Sequence, residues 1–275
     1  MKLTADNYYS KEANQAYFTF SQVKHMMTCA ASALADVEPA KSTALLVGGY
    51  VDAYFSGDLE AYKAANPEIF NSRTGGLKAD FVQADKMIAR IEADPLFMRM
   101  LTGNKQKIVT GTIASYPFAG KLDIYQTAAT ARKTAKLFPD MGELAFADGA
   151  IIDLKTVRSF EPVWSEAERE KVSFVQAQRY DLQLAIYQEL TYQQTGKKLP
   201  CYIAAITKEA EPDIGLFSLN QSDLDAALES LVEQLPTLAA IKSGEEAPTG
   251  CGCCAWCRAH KKLTKATPAE LIKWL

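Results

Sequence analysis

Gly120-Lys-Leu-Asp-Ile-Tyr125, Ala150-Ile-Ile-Asp-Leu-Lys-Thr156 and Gln183-Leu-Ala-Ile-Tyr187 are the segments on which the reading of this 275-residue chain turns. The first two alternate with a period of two, as strands do, and the third lies in a helical pattern. In the second segment that period puts Asp153 and Lys155 on one face and Ile152 and Leu154 on the other. In the first it groups Lys121, Asp123 and Tyr125. Two carboxylates, an amine and a polar pair can thus converge on one metal-bound phosphate. A hard divalent cation such as magnesium or manganese takes oxygen ligands, typically one or two carboxylates with water and substrate phosphate. Asp123 and Asp153 supply carboxylates, and the Leu154 backbone carbonyl lies beside them. Lys155 reaches the same face, where it can orient or help deprotonate an attacking water and neutralise charge growing on the phosphate.

Upstream, a helix is expected over about 42–56, with Leu46, Val47, Tyr50, Val51, Tyr54 and Phe55 mainly apolar. Asp52 interrupts that run. A carboxylate there must face solvent, find a donor or hold a cation, because burying it bare is costly. Asp52 is therefore a candidate ligand for a second ion. An earlier helix opens at Ser21 and carries Cys29, and residues 1–17 read as an irregular lead-in. After a helix at about 78–92, the strands from Ile108 and from Phe118 read as a hairpin with a Tyr116-Pro117 turn. A connection follows over 126–149. Downstream come a long helix over about 167–195, a buried strand from Leu199, a strand from Asp213 and a helix to about 241. A last helix is expected with Thr267 as cap and Pro268 in its first position. Gln176 and Tyr180 share the Gln-x-x-x-Tyr spacing of Gln183 and Tyr187, so that register is open.

The net charge of −3 provides no general attraction to polyanions. Between Asn104 and Lys136, however, Lys105, Lys107, Lys121, Arg132, Lys133 and Lys136 face a single acid, Asp123. This basic interval, with Arg158 after the Asp-x-Lys strand, reads as a place to receive phosphates, with a solvated lysine face as the alternative. The N-terminal residues contain no apolar signal region and no stretch is apolar enough to span a bilayer, so a cytoplasmic protein without membrane contact is expected. Four of six cysteines fall within Cys251–Cys257. In a reducing compartment that favours metal binding over disulfides.

Gly120-x-x-Asp123, Asp153-x-Lys155 and Gln183-x-x-x-Tyr187, in this order, resemble the core motifs of the PD-(D/E)xK nuclease superfamily. The likeness is greatest to phage and prophage exonucleases of the RecE, or exodeoxyribonuclease VIII, type. It implies an α/β (α+β) fold with a restriction-endonuclease-like core, a mixed central sheet flanked by helices. Residues 1–243 would form that nuclease domain, and residues 244–275 a Cys-rich C-terminal element packed on the first helix. It also implies a magnesium-dependent nuclease, an exonuclease more than an endonuclease, acting on linear double-stranded DNA in phage-type recombination or repair. A single-strand annealing protein and further copies of the chain are the implied partners. Asp123, Asp153, Lys155, Gln183 and Tyr187 would be the catalytic set, with Asp52, Asp123, Asp153 and the Leu154 carbonyl on the metal. Relatives often carry a histidine where Asp52 stands. Some join one early cysteine to three late ones around an iron–sulfur cluster, which here would be Cys29 with Cys251, Cys254 and Cys257. Four thiolates suit a [4Fe–4S] cluster or zinc. The alternative is a catalytically inactive nuclease-fold protein that binds DNA ends or a recombination partner.

Overall fold

The computed structural model describes residues 1–35, 41–138, 148–165, 168–263, 265–266 and 268–270. In chain order the helices are α1 Lys11–Ala16, α2 Phe20–Ala33, α3 Thr43–Ser56, α4 Leu59–Ala65, α5 Ala79–Glu92 and α6 Pro95–Met100. Strands β1 Asn104–Ile113 and β2 Tyr116–Thr127 follow, then α7 Ala128–Leu137, β3 Gly149–Val157, β4 Val163–Ser165 and β5 Glu170–Val172. The chain continues through α8 Phe174–Gln178, α9 Tyr180–Thr195, β6 Cys201–Thr207, β7 Ile214–Ser218, α10 Gln221–Ser243 and α11 Ala255–Ala259. Two compact units form: Met1–Phe20 with Glu38–Leu235, and Ser21–Val37 with Pro236–Leu275.

The first unit is built on a mixed sheet of order β1-β2-β3-β6-β7. Only β3 and β6 run parallel, and the other neighbours are antiparallel. Both β3 and β6 are interior strands of this sheet, and β6 is apolar nearly throughout, with all seven residues buried. One core gathers Val47, Tyr50 and Val51 of α3, Phe81, Met87 and Ile88 of α5, and Ile124, Ile152, Leu154 and Ile206 of the sheet. Helix α9 packs on β1, β2 and β3. The β2–β3 ladder runs only from Thr127↔Gly149 to Ile124↔Ile152. Asp123 and Asp153 are the next residue on each strand, opposite one another where the two strands part.

Several expectations need correcting. The hairpin turn is Ala114-Ser115, both left-handed (φ 46° and 71°), and Tyr116-Pro117 already belongs to β2. Two left-handed residues suit the twist of a two-residue hairpin. The connection after β2 contains α7, capped by Thr127. The long helix expected over about 167–195 is instead β5, α8 and α9, and the loop expected before it contains β4, which pairs with β5. Ser173 and Gln176 close a capping box on α8, and Arg179 at φ 56° breaks the helix before α9 starts. The lead-in contains α1, capped by Ser10. The terminal helix with Thr267 as cap falls outside the described residues. No helix among the described residues is long and apolar enough to cross a membrane.

Candidate active site

Asp153 is the best-held group of the site, with its side chain 1% exposed. Oδ1 accepts a hydrogen bond from Gln183 Nε2 at 3.1 Å, and that amide also reaches the Tyr187 hydroxyl at 3.1 Å. Oδ2 has no well-aligned hydrogen-bond donor and faces the Lys155 ammonium at 2.5 Å. Across the fork, Asp123 Oδ2 accepts the Leu154 backbone N–H at 3.0 Å. In an extended strand a residue's carbonyl points to the same edge as its N–H, so the Leu154 carbonyl faces this gap too. Asp52 arrives from α3. Gly48, one turn earlier, lets that helix approach: a Cβ there would stand 3.2 Å from Thr156 Oγ1. The Asp52 carboxylate accepts both contacts of Gln106 Nε2, at 3.2 and 3.1 Å.

Gln106 was missed by the sequence reading. Its neighbours pair as Lys105↔Ile124 and Lys107↔Leu122, which puts Gln106 opposite Asp123, and its backbone is left-handed at φ 51°. Counting back from the hairpin turn would have found the position, though not the strained conformation that aims it.

Charge is concentrated here. Burial, then Asp123, pushes the Asp52 carboxyl up to about 7 against the pull of Lys121, Lys155 and Lys105. Burial likewise pushes Asp153 up to about 7, with Lys155 opposing it and Asp123 adding. Burial draws the Lys155 ammonium down, yet Asp153 and Asp123 outweigh it and hold the group above its ordinary value. Desolvated carboxylates that raise one another's pKa offer the oxygen donors a hard cation takes. Asp153 Oδ2, buried and without an aligned donor, is an oxygen such a cation could take. The donor type suits magnesium or manganese, while among the described residues only the four thiols bring their ligand atoms together in a metal-sized group.

A pH dependence follows. Both raised carboxyls contribute stability that is fully present below their unfolded value of about 4 and lost as pH rises through about 7. Metal-free protein is expected to melt at lower temperature as pH rises across this window. Magnesium, which needs the ionised forms, should raise the melting temperature more at the alkaline end. A magnesium effect that is larger at the acid end would contradict the carboxylate assignment.

Gly120 explains the first motif. A Cβ there would stand 2.8 Å from two Tyr187 ring carbons. Gly120→Ala is therefore expected to destabilise the protein by about 1–3 kcal/mol, the range for overpacking, and to lower activity by displacing Tyr187. Urea unfolding beside a cleavage assay measures both.

Gln176 is engaged locally in its capping box, and it is Gln183 that meets Asp153, with the Tyr187 hydroxyl on the same Gln183 amide. Of the basic residues, Lys105, Lys121 and Lys155 lie near enough to act on Asp52. The Lys107 ammonium sits 3.6 Å from the Tyr125 ring centroid. Arg132, Lys133 and Lys136 are exposed on α7, and Arg158 is exposed beyond β3.

The second unit carries the thiols. The α2 backbone departs from helical geometry at Cys29. The Cys29 Sγ lies 3.6 Å from that of Cys257 and 3.8 Å from that of Cys254, and Cys251 and Cys257 are 4.0 Å apart. All four ligand atoms lie within 4.8 Å of one another. Backbone N–H groups of Cys253 and Cys254 draw the Cys251 thiol down to about 6. Four thiolates at ~2.3 Å around one tetrahedral ion stand ~3.8 Å apart. A four-iron cluster gives each thiolate its own iron and spreads the sulfurs by the width of the cubane. The observed spacing is close to that of four ligands around one ion.

The family model described as a PDDEXK-like domain of unknown function (DUF3799) matches residues 19–260. A crystal structure of a candidate exonuclease from Eubacterium rectale is 37% identical, with a TM-score of 0.84 over 98% of this chain and 97% of that one. Comparison with curated proteins finds no match. With the mixed sheet, the parted strands and the Asp-x-Lys strand in place, this chain belongs to the PDDEXK-like family.

Proposed function

We propose that the protein is a divalent-metal-dependent deoxyribonuclease that degrades linear double-stranded DNA from its ends, serving phage-type recombination or repair. The carrying observation is the buried Asp153–Lys155 pair facing Asp123 where β2 and β3 part. A DNA-binding module has no use for a lysine desolvated between two acids. The family and the neighbour's name support a nuclease, and the RecE resemblance supports the exonuclease mode.

Asp123, Asp153 and Asp52, with the Leu154 carbonyl, would hold the metal, which when bound polarises a phosphate oxygen and lowers the pKa of water. Gln183 fixes the Asp153 carboxylate in one rotamer. Lys155, kept protonated by Asp153 and Asp123, serves as a cation against the charge growing on the scissile phosphate rather than as a proton acceptor. The thiol site of the second unit would hold one zinc-like ion as a staple between Cys29 and the Cys251–Cys257 turn, apart from catalysis. A single-strand annealing protein would take the strand that digestion leaves.

The test is digestion of end-labelled linear duplex DNA beside a covalently closed circle, with and without magnesium. Loss of the linear DNA with survival of the circle is expected. Cutting of the circle would make the protein an endonuclease. DNA retained at low salt but never cut would leave a binding role.

A further inference from the structure

The N-terminal arm carries an aromatic residue that stability does not explain. The Asn7 side chain accepts the Thr4 N–H at 2.7 Å and donates to the Lys2 carbonyl at 3.1 Å. The Tyr8 and Ser10 N–H groups donate to the Thr4 and Asn7 carbonyls at 3.0 Å each. The Tyr17 hydroxyl donates to the Met1 carbonyl at 2.9 Å. Tyr8 is buried with Leu3, Ala13 and Ala119 of β2. Ala119 precedes Gly120, where a Cβ would stand 2.8 Å from the Tyr187 ring. The arm thus reaches the active site and is held there.

Tyr9 points the other way. It is 70% exposed, with its ring edge-on to Tyr8 at 4.9 Å. The Lys121 ammonium stands 4.7 Å from the Tyr9 ring centroid and 5.8 Å from that of Tyr8. Lys121 and Asp123 stand two residues apart on one face of β2. One cation therefore lies between the acid cluster and an open aromatic face on a tied turn. An ammonium recognises a phosphate, and an aromatic face takes any nucleobase by stacking.

We propose that Tyr9 and Lys121 form a nucleotide subsite beside the acids. Lys121 holds a phosphate next to the scissile one, and Tyr9 stacks the base attached to it. The inference rests on the nuclease reading above and adds a demand on the substrate. A base can stack on Tyr9 only where its face is free, so the substrate must present a strand end or an unpaired nucleotide there.

The experiment measures kcat/KM on end-labelled duplexes carrying an abasic residue at each of the last three positions of either strand in turn. Wild type, Tyr9→Ala and Tyr9→Trp are compared. At one position the missing base should cost wild type roughly tenfold, the scale of one base–aromatic stack. Tyr9→Ala should lose a similar factor on intact DNA and nothing further on that abasic substrate. Such non-additivity marks a direct contact and is not produced by a structural defect. Tyr9→Trp should restore both the rate and the abasic penalty. Losses that multiply, or no abasic penalty at any position, overturn the subsite while cutting by wild type leaves the nuclease reading standing. A wild type that cuts none of these substrates overturns both.

Discussion

Lys155→Ala protein, given magnesium and linear duplex DNA, is expected to leave the DNA uncut while wild type consumes it, a loss of roughly a thousandfold. Two effects act together. The variant has no cation for the charge growing on the phosphate. It also removes the group that opposes the rise of the Asp153 pKa, already about 7, so the carboxyl becomes protonated near neutrality and is a poorer metal ligand. That protonation keeps the variant foldable, because a neutral acid is cheaper to bury than a lone carboxylate. Lys155→Arg is not expected to rescue, since a planar guanidinium does not replace a compact ammonium 2.5 Å from Asp153 Oδ2. Asp153→Asn retains a side-chain oxygen for Gln183 and loses the charge. It should be as inactive as Lys155→Ala and should also lose the rise in melting temperature with magnesium. Asp153→Ala is the less useful probe, because stranding a buried Lys155 costs about 3–5 kcal/mol by itself. Wild-type rates in both Lys155→Ala and Asp153→Asn would remove these residues from the catalytic set.

The second large effect concerns the thiols. Purified protein is expected to carry about one zinc per chain and to lack the visible absorption of an iron–sulfur centre. Structural zinc in small modules is worth about 10–16 kcal/mol of apparent binding energy, much of it folding energy. A strong chelator, or Cys254→Ser, should therefore unfold the segment around Cys251–Cys257 and expose it to protease. The sheet unit has its own core around α3, α5 and the strands and should stay protected. Cys253→Ser should retain the ion, because Cys253 is not among the four clustered ligands. Iron with labile sulfide in anaerobically purified protein, or no metal at all, would overturn the single-ion assignment.

The Asp-x-Lys strand was legible because alternation is a local property: Ile152 and Leu154 need a core, so Asp153 and Lys155 must face elsewhere. The sheet type was legible for a similar reason, since the unbroken apolar run at Cys201–Thr207 only suits a strand covered on both faces. The break at Arg179 was not. An arginine in the left-handed region carries no turn signature, and the Gln-x-x-x-Tyr periodicity runs straight through it. The same holds for Gln106, which reads as one more polar strand residue between two lysines, and for the Ala114-Ser115 turn, where neither residue favours a positive φ.

Sequence by itself determined which residue types could do the chemistry and on which elements they stand, because hydrophobic period and metal-ligand preference are written residue by residue. Only the tertiary structure decided how they meet. The β2–β3 ladder stops at Ile124↔Ile152 and leaves Asp123 and Asp153 facing across a fork. The Gly48 contact brings Asp52 close, and the Gln183 amide, not that of Gln176, reaches Asp153. It decided the sulfur spacing in the same way. The reason is that close approach, strand divergence and desolvation belong to pairs of segments far apart in the chain, and local patterning contains no term for them.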